Sequence, residues 1–491
     1  MAAARLFLRP AGRGAVSFNL LAAARREMAE RGFEPDLPEA AVEQARTLEA
    51  HDDPGLRDLT GLLWSSVDND DSRDLDQIEW AERAADGIRV LIGVADVDAL
   101  AALGTPIDAH AERETTTVYT GVHTFPMLPE RLSTDLTSLN EGPDRAAIVI
   151  EMLVAPDGGI AQSSVYRAVV RNRAQLTYSA VGGWLEGGAA PPKIAASAEL
   201  AAQLKLQDEA ARMLREARGR NGALSFDRQE VQTVVENGRV KGIAAWRSNR
   251  ASHLIEDFMI GANEVMARTL RDGGVTSIRR VVKAPERWER IVELAGRYGE
   301  SLPHTPDAGA LNRFLLNRKN SDPTHYADVS LAVLKLLGPG EYVAARPGGE
   351  QDGHFGLAAH DYTHSTAPNR RFADLVTQRL LKAFVGKSGA PYPDERLDAI
   401  ARACTVMEDA ARKVQRDMAK RIAAVAVEPR IGEEFAAVVT GVTRKGVFVR
   451  VAEPPVEGRL MRGEGGLDVG DRIRVRLQST DPERGFIDFV R

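Results

Sequence analysis

Cysteine is almost absent from this chain: Cys404 stands alone among 491 residues. A single thiol excludes an intrachain disulfide and any zinc centre built from several cysteines, and it suits a reducing compartment. Long apolar runs are missing too, and none approaches the roughly 20 residues that cross a bilayer. Nor is there a surplus of positive charge. The formal net charge of -6 gives no global case for nucleic acid, since strong binders usually carry a basic balance. Repeats and low-complexity tracts are lacking. The first 26 residues hold five arginines and no acid, which imitates an organellar transit peptide. The same Ala/Arg bias recurs in "EARGRNGAL", so background composition is the better reading and a cytoplasmic location is expected.

What is present is an ordinary globular composition, 44% hydrophobic and 27% charged, long enough for about three domains. Residues 1–57 read as a small helical unit: "NLLAAARREMAERGF" and "PEAAVEQARTLEAH" have helical spacing with Gly and Pro at their borders. Residues 58–427 mix buried-strand runs ("GIRVLIGVADV", "AAIVIEMLVAP") with amphipathic helices ("LIEDFMIGANEVMARTL", "FADLVTQRLLKAF"), which implies one large α/β (α+β) catalytic domain. "GPGEYVAARPGGEQDGHFG" reads as a surface loop. Residues 428–491 turn to short alternating strands between Gly, Asp and Pro turns, an all-β pattern suited to a five-stranded OB barrel. Such barrels bind single-stranded nucleic acid through aromatic and basic side chains, here Phe448, Arg444, Lys445, Arg474 and Arg476, although Phe448 alone could equally belong to the barrel core. Charge is also unevenly spread: residues 365–430 carry 13 Lys/Arg against 8 Asp/Glu.

The opposite sign gathers in "SSVDNDDSRDLDQIEW", with Asp68, Asp70, Asp71, Asp74 and Asp76 inside nine positions. Three readings compete. An EF-hand loop matches at several acidic positions but has Arg73 where the sharp turn demands glycine. A plain solvated loop is the bland alternative. A catalytic magnesium site is the third, because hard divalent ions want carboxylate oxygens. Two such ions about 4 Å apart can activate water and stabilise the leaving oxygen in phosphodiester cleavage.

The run resembles the acidic motif of the ribonuclease II (RNB) family of exoribonucleases, and the likeness continues in order along the chain. "GVADV" follows, then "VYTGVHTFPMLPERLSTDLTSLN", "AQLTYSAVGGWL", "GALSF", "LIEDFMIGAN" and "HFGLAAHDYTHSTAPNRRFADLVTQRLL", with an S1-type barrel at the end. The resemblance covers residues 58–491. It implies that Asp68, Asp74 and Asp76 bind Mg2+, possibly two ions and with Mn2+ as a substitute, and that Asp76 is the critical catalytic acid beside Asp74. It implies that Arg370 acts on the phosphates at the scissile bond, with Arg371 beside it on the RNA. Tyr178 and Glu256 would grip the terminal nucleotide, Glu256 favouring RNA through a 2′-OH. Phe226 would stack at the 3′ end and Tyr119 further out.

Departures accompany the match. Gln77 replaces a fourth family aspartate and makes at best a weak ligand, so a second metal would bind less tightly or borrow Asp70 or Asp71. Gln415 stands where a glutamate is common, and Ser365 and Asn369 replace bulkier apolar residues. The helical N-terminal unit occupies the place of the family's two cold-shock domains. The expectation is a monomeric, Mg2+-dependent 3′→5′ exoribonuclease on single-stranded RNA, releasing nucleoside 5′-monophosphates and a short end product. Its rivals are an RNA-binding adaptor of the same fold and a DNA exonuclease.

Overall fold

The computed structural model describes residues 18–50, 53, 55–226, 229–236, 239–323, 326–349, 352–444 and 446–491. Helix α1 (Leu20–Glu30) starts where Asn19 accepts the Ala22 N–H and stops at Gly32, whose φ of 90° no β-carbon would favour. Helix α2 (Glu39–Thr47) follows Pro38. Neither builds a core with the other. Ala23, Ala24 and Met28 of α1 pack with Phe125, Val414 and Met418, whereas Ala41 and Ala45 of α2 join the main core.

The main sheet comes next. It uses β1 (Arg57–Asp58), β2 (Trp64–Asp68), β3 (Gln77–Ala84) and β4 (Gly87–Ala95). After α3 (Pro106–Glu114) and the small hairpin β5 (Val118–Tyr119) and β6 (Thr124–Phe125), β7 (Asp144–Val154) and β8 (Ile160–Thr177) complete it. The first part of β8 pairs antiparallel with β7, and its last residues pair parallel with β2. One 18-residue strand thus joins both sides of the ladder β2-β3-β4-β7, and the sheet returns on itself. Unbroken apolar runs such as Val90–Val94 fit strands buried on both faces.

Helices α4 (Tyr178–Leu185), α5 (Pro192–Ala195) and α6 (Ala198–Arg220) precede the hairpin β9 (Gln229–Glu236) and β10 (Arg239–Arg247). Then comes α7 (Arg250–Asp272), opened by an Asn249/Ser252 capping box. Leu204 and Leu214 of α6 and Phe258 of α7 share the sheet's core with Ile78 and Leu91. Beyond β11 (Ser277–Val281), α8 (Trp288–Arg297), α9 (Ala308–Ser321) and α10 (Tyr326–Leu336) enclose a second core around Trp288, Phe314 and Val333. The stretch read as a surface loop from 338 contains strand β12 (Glu341–Ala345), which pairs with β11. That expectation is corrected: its partner lies some 60 residues away, so flanking Gly and Pro hid a strand that only distant pairing completes.

Helix α11 (Phe372–Val385) is buried along most of its length, and α12 (Asp394–Val427) runs 34 residues. Strands β13 (Glu434–Thr443), β14 (Gly446–Val451), β15 (Val456–Arg462), β16 (Arg472–Asp481) and β17 (Phe486–Val490) close into a five-stranded barrel. Ala424 and Val427 of α12 enter the barrel's core, and Met418 packs with α1, so one helix serves both ends of the chain. Among the described residues no helix is long and apolar enough to cross a membrane.

Candidate active site

The acidic loop is the connection between β2 and β3. Asp68 ends β2 opposite Thr177, which places it beside Tyr178 at the start of α4. Its Oδ1 accepts the Asn69 N–H at 2.9 Å and the Ser72 hydroxyl at 2.8 Å. Leu75 anchors the loop: it is fully buried, takes the Leu139 N–H on its carbonyl and donates its own N–H to Ser138 Oγ. That apolar pin holds its two neighbours, Asp74 and Asp76, which both act on Arg370. Asp74 Oδ2 accepts the Tyr119 hydroxyl at 3.1 Å.

Asp76 is 1% exposed and accepts two hydrogen bonds, from the Asn369 N–H and from Arg370 Nε, each at 3.0 Å. Burial dominates its titration and lifts the carboxyl to about 7, with Asp74 adding to the rise, while Arg370 and the Asn369 N–H oppose it. Arg370 in turn is held cationic by Asp76, Tyr119, Asp74 and Asp68, which outweigh its own desolvation. The segment 363–369 that delivers it is polar yet buried. Ser365 donates to Asn263 Oδ1 at 2.8 Å, and Thr137 donates to Asn369 Oδ1 at 2.5 Å. The two residues that depart from the apolar family pattern therefore fix the loop through hydrogen bonds in place of packing.

Not every expected residue joins this group. Arg371 N-caps α11 by position, but its side chain is tied to Asp374 at 2.7 Å. It lines a cleft with Tyr119, Arg370, His364, Arg412 and Gln415, so the substituted position Gln415 belongs to the same surface. Tyr178 lies among Asp68, Glu79, Glu256 and Arg370; burial first, then the three carboxylates, push its phenol up while Arg370 opposes them. Glu256 is exposed on α7, and the imidazole of His253 at 3.3 Å holds its carboxyl below the ordinary value. Phe226 is half-buried against the α8–α10 core, beside the Ser225 carbonyl that accepts the Tyr326 hydroxyl. Gln77 opens β3 and is buried, whereas Asp70 and Asp71 are exposed, with Asp70 taking the Ser179 hydroxyl at 2.7 Å.

In the barrel Val447, Val449 and Val451 face inward, which puts Phe448 on the outer face opposite Arg459. The core placement weighed for Phe448 is thus corrected by strand alternation. Arg444, Arg474 and Arg476 are exposed; Lys445 lies outside the described residues.

Asp68, Asp74 and Asp76 offer carboxylate oxygens, the donors a hard divalent ion takes. Asp68, Asp74 and Asp76 are nevertheless engaged by separate partners. Among the described residues the one tight group of three metal-type ligands, within 4.8 Å of one another, is Glu34, His110 and Glu114. That group joins the α1–α2 connection to α3, where Arg113 already pairs with Glu34. A further acid, Glu79, enters the sequence reading only as the last acidic position of the EF-hand loop that Arg73 rules out. It is completely buried on β3, and burial, with Asp68 contributing, holds its carboxyl well above the ordinary range. Inside "QIEW" it is indistinguishable from strand sequence.

Comparison with known proteins completes the site. The RNB domain matches residues 56–387, and the RNase II-type exonuclease C-terminal S1 domain matches 433–491. Ribonuclease R of Thermotoga maritima is 30% identical over 494 residues, covering 93% of this chain and 68% of that protein. Ribonuclease R of Escherichia coli is 28% identical over 477 residues, covering 89% of this chain and 57% of its own length. The chain therefore spans little more than half of some curated relatives. Mycoplasma genitalium RNase R in complex with ribose methylated single-stranded RNA superposes with a TM-score of 0.86 at 22% identity, over 96% of this chain and 78% of that one. The aspartate loop, the Arg370 segment and the terminal barrel all fall inside these matches, and the chain belongs to the RNB family with an RNase II-type S1 barrel.

Proposed function

We propose that the protein is a divalent-metal-dependent exoribonuclease that hydrolyses single-stranded RNA from its 3′ end, releasing nucleoside 5′-monophosphates and a short end product. One observation carries the reading: a buried carboxylate, Asp76, is held by an N–H and a guanidinium at 3.0 Å each, and that guanidinium, within reach of Asp74 and Asp68 as well, lines a cleft. Such an assembly costs stability and has no packing value, which marks it as functional.

Asp68, Asp74 and Asp76 would hold the cation, with Gln77 adding at most a neutral oxygen. A bound divalent ion supplies Lewis acidity and a more acidic water. The chain's own residues do the rest. Arg370 is 47% exposed at its side chain while keeping one edge on Asp76, so its remaining N–H groups can meet phosphate oxygens and stabilise charge developing there. Tyr119 offers an exposed ring while its hydroxyl fixes Asp74. Tyr178 and Glu256 stand on the side of Asp68, where a terminal ribose could be gripped. Phe226 is placed for stacking only through the family resemblance. On the barrel, outward Phe448 with Arg444, Arg474 and Arg476, and Lys445 by sequence, would take the incoming strand by stacking and backbone charge. We further propose three units, 1–57, 58–427 and 428–491, a monomer, and a cytoplasmic location.

The test is a time course on a 5′-labelled oligoribonucleotide in Mg2+, beside an EDTA control and the Asp76→Asn variant. A 3′→5′ ladder or collapse to a short product, absent from both controls, is expected. Gln77 favours one second reading, an RNA-binding adaptor with lost catalysis. Tight RNA binding without cleavage in Mg2+ or Mn2+ would establish that reading instead.

A further inference from the structure

Glu79 is the most costly side chain in the core to account for. It is 0% exposed, and both of its carboxylate oxygens lack any hydrogen-bond partner. No ion pair reaches it among the described residues. Buried carboxylates are ordinarily neutralised by a cation or satisfied by donors. Here neither is supplied by protein.

Its position says where a cation would come from. Glu79 stands opposite Ser65 in the β2–β3 pairing. Ser65 Oγ and the Glu79 carbonyl both lie near Gln207 Nε2, at 3.5 and 3.4 Å, so this face of the strands looks toward the α6 and α7 side. Residues two apart on a strand share a face, which places Gln77 on the same side, one step closer to the aspartate loop. Asp68, at the end of β2, is the acid whose electrostatic influence reaches Glu79, and the Tyr178 phenol lies within reach of both. The Gln77 amide and the Glu79 carboxylate therefore share one face of β3, on the strand that pairs with β2, whose last residue is Asp68.

We propose that Glu79 is a ligand of the divalent cation held against Asp68, supplying from two residues further along β3 the negative charge that Gln77 lacks. The inference rests on the metal-dependent reading above. Its chemistry is consistent: a buried carboxylate that no protein donor meets is the charge that an adjoining cation would neutralise. The neutral Gln77 oxygen then completes the shell without adding charge, and affinity for such ions follows the number of charged ligands.

The experiment titrates the full chain with Mn2+ at pH 7.5 and follows free Mn2+ by electron paramagnetic resonance. Wild type, Glu79→Gln, Asp68→Asn and the exchange Gln77→Asp/Glu79→Leu are compared, each with a thermal melt in EDTA. Glu79→Gln is expected to weaken Mn2+ binding by at least about tenfold, to melt in EDTA no lower than wild type, and to lose the Mn2+-induced rise in melting temperature. The exchange variant is expected to bind Mn2+ within about threefold of wild type, because the charge count around Asp68 is restored. Unchanged Mn2+ affinity in Glu79→Gln, with Asp68→Asn impaired, would overturn the inference and leave the exoribonuclease reading standing. RNA cleavage by wild type that persists in EDTA, with no Mn2+ bound, would overturn both. If Glu79→Gln does not fold, the exchange variant decides: a well-folded protein that binds no Mn2+ refutes the proposal.

Discussion

Replacing Asp76 by asparagine should remove cleavage while making the protein harder to melt at alkaline pH. In the unfolded chain an aspartate ionises near 3.9, but burial lifts Asp76 to about 7 in the fold. Between these values the unfolded chain releases a proton that the fold retains, so this group's contribution falls as pH rises from about 4 and reaches its full penalty above 7. Three units correspond to at most about 4 kcal/mol. Asparagine cannot ionise, and its Oδ1 still accepts the Asn369 N–H. Losing the pair with half-exposed Arg370 returns about 1 kcal/mol of cost, since that guanidinium resolvates. The net gain is about 3 kcal/mol at pH 8 and none at pH 4. With an unfolding entropy of about 2.1 cal/mol/K per residue, that is roughly a 3 °C rise for a chain of this length. The assay is a thermal melt in EDTA at pH 5 and pH 8, paired with the labelled-RNA time course, where a loss of about 10²–10³ or more is expected. A fall of 2 °C or more at pH 8 would show that the charged Asp76–Arg370 pair is a net structural prop, and the argument from desolvation would fail.

Three further outcomes follow from the same geometry. Glu114 is lifted to about 7 by burial while accepting the Glu34 N–H, so Glu114→Gln should melt about 2–3 °C higher than wild type at pH 8 and level with it near pH 4.5; a pH-independent shift would refute this. Tyr119→Ala should weaken binding of single-stranded RNA by about 1–3 kcal/mol, read by fluorescence anisotropy, whereas Tyr119→Phe keeps the ring and loses only the bond to Asp74. Equal losses in both would show that the hydroxyl, not stacking, carries the effect. Arg474→Ala with Arg476→Ala should reduce the slope of log affinity against log salt by about 0.7 for each phosphate contact removed; an unchanged slope would exclude this barrel face from the RNA path.

The periodic segments were readable from sequence because local pattern and tertiary burial agree there. "GIRVLIGV" became β4 and "FADLVTQRLLKAF" became α11 with the same residues inward. Pairing across long separations was not readable, and β12 is the example: it is five residues long between Gly and Pro signals, and its partner is distant. Within the site, the aspartates and Arg370 were legible from spacing and family resemblance. Ser365 and Asn369 looked like defects, because a lone sequence cannot show that Asn263 and Thr137 wait to receive them. Glu79 fitted the acidic spacing of the EF-hand loop, but its burial was hidden for the opposite reason. A single acid in a strand run normally points to solvent, and only its complete burial reveals that it does not.

Helix α12, about 51 Å long at 1.5 Å per residue, has a mechanical consequence. Because it seats its end in the barrel core and its middle against α1, while Thr405 Oγ1 accepts the Tyr342 N–H of β12, the barrel is a bracket bolted to the catalytic floor, not a bead on a tether. If the chain shortens a strand held at both places, as proposed above, the outer hold would be lost once the tail no longer spans the gap, and that length would be set by the stiffness and span of a single helix.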